Sequence, residues 1–137
     1  MGRTLAFLLG AAGLVASLDL AHKALAISER GGAVLVHDRS ASYTVGLAAL
    51  SLAWAGAVTL TRSTSISLAG GLVLGGALGN LVSIMLWPSL PGVPDPIESG
   101  GFAFNVADLS ALLGFALLVP AVVVFAARNR GRLLEPV

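Results

Sequence analysis

Between residues 43 and 60 the chain carries no charge, and between residues 66 and 87 it again carries none. About 20 mostly apolar residues suffice to cross a bilayer as a helix. Two more stretches meet that length, residues 4–26 and 104–127, with Asp19, His22 and Lys23 near the far end of one and Asp108 near the start of the other. Inside lipid every backbone polar group has to be satisfied within the protein, which selects helices for such segments. The expected fold is therefore an all-α membrane protein with four transmembrane helices, forming one integral membrane domain over residues 1–137. Composition agrees: 56% of residues are hydrophobic and 11% charged, against about 25% charged in an average soluble domain. This excludes a disordered chain and argues against an ordinary soluble one. A formal net charge of +1 gives no electrostatic footprint for nucleic acid, and the absence of Cys removes disulfides, thiolate nucleophiles and Cys-based metal sites.

The basic residues orient the bundle. Arg3 precedes the first span, Arg62 lies between the second and third, and Arg128, Arg130 and Arg132 follow the fourth. Those three places share one side of a four-span bundle, and the positive-inside rule puts both termini in the cytoplasm. The apolar run after Arg3 then reads as an uncleaved first span. The two longer loops face outwards as a small extracytoplasmic region. One holds Arg30 and Arg39 offset by Glu29 and Asp38; the other, residues 88–101, has no Lys or Arg. The β-branched run within residues 31–37 reads as a strand at the membrane surface. Four prolines and three glycines in residues 88–101 exclude a regular helix there. Tyr43 and Trp87 read as interfacial anchors, and the glycines from Gly70 to Gly79 as a packing stripe.

The acids in or beside the membrane need explaining, because ionisable groups there are costly and often functional. Asp19 and Lys23 are four apart on one helix face and suit an ion pair. Asn105 with Asp108 three residues later has the pattern of a capping box. Asp95 sits between Pro94 and Pro96, only 13 residues before Asp108, in a loop that must return to the top of the fourth span. Two carboxylates could thus meet at the outer surface. Held close, they cannot both ionise easily and share a proton. The ionised member takes a proton from water; the protonated one polarises the scissile carbonyl and later feeds the leaving amine. That is peptide hydrolysis without a nucleophilic side chain or a cofactor. His22 and His37 are too few for a well-furnished metal site, and no Ser lies in a G-x-S-x-G context.

Three segments carry a resemblance: Gly75-Gly76-Ala77-Leu78-Gly79-Asn80-Leu81, Val93-Pro94-Asp95-Pro96-Ile97, and Phe104-Asn105-Val106-Ala107-Asp108. In order, spacing and placement they resemble the signal peptidase II, or lipoprotein signal peptidase, family. Asp19-Leu20-Ala21-His22-Lys23 resembles that family's D-Q-x-x-K. The resemblance implies that Asp95 and Asp108 are catalytic, that Asp19, Lys23, Asn80 and Asn105 support them, and that no cofactor or metal is needed. It implies removal of signal peptides from lipid-modified prolipoproteins at the outer face of the cell membrane, with prolipoprotein signal peptides and membrane lipid as partners. The chain departs from the pattern where the family has Asp-Arg after Asn80: Ser83 and Ile84 stand there. The outer-loop N-x-G-A-A-F corresponds best to Asp38-Arg39-Ser40-Ala41-Ser42-Tyr43. The alternative is a homologue that binds lipoproteins or signal peptides without cutting them. A small transporter using Asp108 fits less well, since transporters place charge near the midplane. With the Asp-Arg pair gone, Lys23 and Asn80 are expected to orient both Asp95 and Asp108.

Overall fold

A computed structural model of the chain describes residues 2–30, 32, 34–37 and 40–133, the last two as backbone. Asp38 and Arg39, which begin the outer-loop motif, lie outside the described residues. Four helices are long and apolar enough to cross a membrane: α1 (Gly2–Glu29), α2 (Ala41–Leu60), α3 (Thr64–Leu86) and α4 (Val106–Arg128). A short α5 (Arg130–Leu133) follows. The spans run a few residues beyond most of the sequence-derived limits, because hydrophobicity fades at the ends before helical hydrogen bonding does. Ser40, Ser63 and Asn105 cap α2, α3 and α4, each side chain accepting from a backbone N–H one turn in. Assigned helix α4 continues through Pro120.

Helix α3 is the centre of the bundle, packed most extensively against α1 and α4 and less against α2. Its glycines explain why. A Cβ on Gly71 would lie 2.6 Å from the Leu8 carbonyl oxygen, and one on Gly75 2.7 Å from that of Ala12. A Cβ on Gly76 would collide with the Ala107 carbonyl at the start of α4. Small residues thus let α3 approach backbone to backbone on both sides, the membrane route to tight packing where no hydrophobic drive separates helix from lipid. The apolar core is small, comprising Leu8, Ala12, Val58, Ile66 and Leu74. Large apolar residues such as Val45, Leu52, Met85 and Leu112 instead point outwards along the helices. That inversion of the soluble pattern is what a lipid environment requires.

At the end of the bundle opposite the α2–α3 turn, the described residues form four short strands: β1 (Val36–His37), β2 (Val93–Pro94), β3 (Ile97–Ser99) and β4 (Phe102–Phe104). β1 and β2 pair antiparallel, Val36 opposite Pro94 and His37 opposite Val93. The strand read from the β-branched run is therefore present at its end. β3 and β4 form a hairpin whose turn residues Gly100 and Gly101 have φ of 58° and 82°. Positive φ at both central positions marks the turn type that matches strand twist, and glycine adopts it without strain. The hairpin stands where the sequence predicts only irregular loop. Arg30 at the outer end of α1 grips it, donating to Glu98 Oε1 at 3.1 Å and to the Pro96 carbonyl at 3.0 Å.

Candidate active site

The first turn of α4 is the frame of the site. Asn105 accepts from the Asp108 N–H at 3.0 Å, and its own N–H donates to Asp108 Oδ2 at 3.1 Å, a complete capping box. The next donor, Ala107 N–H, goes to Asp19 Oδ1 of α1 at 2.9 Å. Three of the donors that a helix start leaves open are thereby fixed by side chains. The box also spends one Asp108 oxygen on the cap while the carboxylate stays half-buried at the site. Capping and a chemical role are compatible for this residue.

Asn105 has a second task. Its Nδ2 donates to Asp95 Oδ1 at 2.6 Å and to the Pro94 carbonyl at 3.3 Å. The Asp95 N–H donates to the Leu35 carbonyl at 2.8 Å, extending the β1–β2 pairing by one rung. Strand pairing and Asn105 together carry Asp95, which is buried, to the top of α4. One carboxylate oxygen of Asp95 and one of Asp108 lie within 4.8 Å of each other, a gap that one water can bridge.

Behind Asp108 lies a buried polar chain. Asn80 Nδ2 donates to Asp108 Oδ1 at 3.2 Å. Lys23 Nζ donates to Asn80 Oδ1 at 2.8 Å and to Ser83 Oγ at 2.9 Å, and pairs with Asp19 Oδ2 at 2.7 Å. Asp19 and Lys23 are both fully buried. Ser83 passes its own proton to the Gly79 carbonyl at 2.5 Å. Lys23 thus makes two hydrogen bonds and an ion pair, the compensation a buried charge demands.

This geometry corrects one expectation. Lys23 acts through Asn80 on Asp108, as anticipated, but neither residue holds Asp95. That carboxylate is held by Asn105 and by His37, whose Nδ1 lies 2.6 Å from Asp95 Oδ2. When Asp95 is ionised it only accepts, and Nδ1 is then the donor. Nε2 of the same ring lies 3.3 Å from the Tyr43 hydroxyl, with the rings edge to face at 5.8 Å. The hydrogen bond to Asp95 holds His37 above the usual histidine range, and burial opposes this less strongly. Neither His37 nor Tyr43, expected only as an interfacial anchor, belongs to the site that the sequence predicts. No local pattern marks His37, because its approach to Asp95 depends on the pairing of β1 with β2, far apart in the chain.

A cavity of about 370 Å³ opens between α2, α3 and α4. Tyr43, Asn80 and Asp108 line it at the helix ends nearest the strands, while Trp54, Ala77 and Phe115 continue it deeper as an apolar surface. Trp54 and Phe115 meet edge to face at 5.8 Å, and Trp54 Nε1 donates to the Gly70 carbonyl at 3.0 Å.

The family model for Signal peptidase (SPase) II, Peptidase A8, matches residues 24–124. The chain belongs to the signal peptidase II family. No curated protein sequence and no solved structure matches it. Signal peptidase II enzymes are aspartic peptidases that act on prolipoprotein signal peptides in membranes. This multi-pass membrane member has Asp95, Asp108, Asn80, Asn105 and His37 inside the matched span, with Asp19 and Lys23 just before it. Of the two residues that depart from the expected pattern, Ser83 is absorbed into the Lys23 network, and Ile84 is half-buried.

Proposed function

We propose that this signal peptidase II member is an active aspartic endopeptidase of the cell membrane, with Asp95 and Asp108 as its catalytic pair. The observation that carries the reading is the approach of their carboxylates to within 4.8 Å, with Asp108 lining the polar end of an apolar groove and Asp95 buried beside it. A water between them gives a proton to whichever carboxylate is ionised and attacks the scissile carbonyl. The protonated partner donates to the carbonyl oxygen as it becomes an oxyanion. The proton abstracted from water later goes to the leaving amine. Asn80 and the Asn105 N–H fix Asp108; Asn105 Nδ2 and His37 fix Asp95. Such fixation matters because catalytic groups have to be held to fractions of an ångström.

The groove suits the apolar stretch of a signal peptide lying in the membrane, with its cleavage point at the outer end. The arginines at positions 3, 62 and 128 all lie at the opposite end of the spans. They support cytoplasmic termini and an extracytoplasmic active face. The substrate is a prolipoprotein whose cysteine carries a diacylglyceryl group. The loss of the family's Asp-Arg favours a second reading, a homologue that binds such substrates without cutting them.

Incubating the detergent-solubilised protein with a lipid-modified prolipoprotein separates the two. Active enzyme yields a shortened, lipid-bearing product and leaves an unmodified precursor intact. Retained full-length substrate, with saturable binding, supports the second reading.

A further inference from the structure

His37, Asp95 and Asp108 form more than a carboxylate pair with a neighbour. Each offers one ligand atom, a ring nitrogen or a carboxylate oxygen, and the three atoms all lie within 4.8 Å of one another. They come from three separate elements: β1, the residue after β2, and the first turn of α4. One imidazole and two carboxylates, with room for water, is the donor set of an open three-ligand zinc site.

The atoms behind the ligands are also in place. Metal-binding imidazoles nearly always have their second nitrogen hydrogen-bonded, and metal-binding carboxylates are held likewise. Here Nδ1 of His37 faces Asp95 while Nε2 meets the Tyr43 hydroxyl at 3.3 Å. Asp95 turns Oδ2 to His37, and its Oδ1 is held by Asn105 at 2.6 Å. Asp108 is held by Asn80 at 3.2 Å and by the Asn105 N–H at 3.1 Å. Small side-chain shifts separate Nδ1 from Oδ2, now 2.6 Å apart, and draw the Asp108 oxygen inwards until all three meet at zinc–ligand distances of about 2.0–2.2 Å. The His37 side chain is 32% exposed, so the site is reachable from the outer surface.

We propose that this site binds a divalent cation of the zinc class across His37, Asp95 and Asp108, and that the bound cation blocks cleavage. The inhibitory half rests on the catalytic assignment made above. On binding, the cation takes the place of the proton between Nδ1 and Oδ2; the ligand is the neutral imidazole with its one proton on Nε2, facing the Tyr43 hydroxyl, and only a doubly protonated ring gives its second proton to water. With both aspartates ligated, neither is free to take a proton from water or to feed the leaving amine. The cation also occupies the gap where the attacking water has to sit. His37 therefore makes the site sensitive to a metal that two carboxylates alone would hold poorly, since imidazole is the nitrogen donor that zinc favours.

The test uses the full chain in detergent, stripped with a chelator and titrated with zinc by calorimetry, and with cobalt by its visible absorption. One saturable site is expected, with the ligand-field bands of a nitrogen–oxygen environment. His37→Ala and His37→Gln should each weaken binding by at least about tenfold, and Tyr43→Phe by about tenfold. Gln keeps a donor towards Asp95, so its loss of binding separates ligation from a disturbed fold. Cleavage by each protein is then compared with and without zinc: wild type should be inhibited, and both His37 variants should lose that sensitivity relative to their own zinc-free rate. No saturable binding, binding indifferent to His37, or stimulation by zinc overturns the proposal. Because binding is read without cleavage, a chain that binds zinc through His37 yet never cuts substrate overturns the catalytic assignment and leaves the metal site standing.

Discussion

Along the α1–α3 seam, glycines set α3 against the carbonyls of Leu8 and Ala12, and the seam closes over a fully buried Asp19–Lys23 pair. On the other side of α3, between it, α2 and α4, a cavity of about 370 Å³ stays open with Trp54 and Phe115 on its walls. Half of the most apolar stretch of α3 is buried, but only 11% of that of α2. The difference teaches a division of labour. The closed seam spends its packing on holding charged groups where no water reaches them. Its polar chain ends, through Asn80, on the back of Asp108. The open side keeps one face of that same carboxylate beside a groove that a substrate segment can enter. Rigidity on one side and access on the other meet at the first turn of α4.

Substitutions on the two sides should therefore differ in kind. Lys23→Met is the most severe, because it leaves Asp19 as an uncompensated buried charge and strips Asn80 and Ser83 of their donor. Removing one partner of a buried pair costs about 3–5 kcal/mol. Thermal unfolding in detergent should show a collapse of the transition temperature, and a Lys23→Met protein as stable as wild type would mean that the seam is not held this way. Gly75→Ala comes next. Its Cβ would lie 2.7 Å from both the Ala12 carbonyl oxygen and Val15 Cβ, and overpacking of this sort costs about 1–3 kcal/mol. The same unfolding measurement checks it, and an unshifted transition would show that the seam can spread freely.

Ala77→Leu probes the open side. It fills part of the groove without touching the seam, so stability should stay within about 0.5 kcal/mol of wild type. Cleavage should nevertheless slow by on the order of tenfold, as a few added methylenes do in an apolar binding pocket. If this variant lost stability instead and kept its rate, the contrast between the two sides would fail.

Much of this was legible in the sequence. Uncharged runs of bilayer length gave the four helices, and the spacing of Asn105 and Asp108 gave the capping box. Asp19 and Lys23, four apart, gave their ion pair. What was not legible depended on pairing over long separations. His37 and Asp95 are brought together by two two-residue strands, too short to leave a periodic pattern. Asn105 looked like a cap and turned out to hold Asp95 as well, since nothing local tells where a side-chain amide points. The Gly100-Gly101 turn was readable from its dipeptide, but proline-rich surroundings drew attention away from a hairpin. Lys23 was expected to serve both acids and serves Asp108 alone, because β2 brings Asp95 in from the outer side, away from α1.

The central claim is that Asp95 and Asp108 act as one catalytic pair, and single-residue isosteres test it most directly. Asp95→Asn and Asp108→Asn keep shape and remove the carboxylate. Purified side by side with wild type, each should unfold near the wild-type temperature and still bind lipid-modified prolipoprotein. Each should lose cleavage by about a thousandfold or more, within the range that general acid–base groups contribute. Cleavage within a few-fold of wild type in either variant would contradict the claim, whatever the distance between the two side chains.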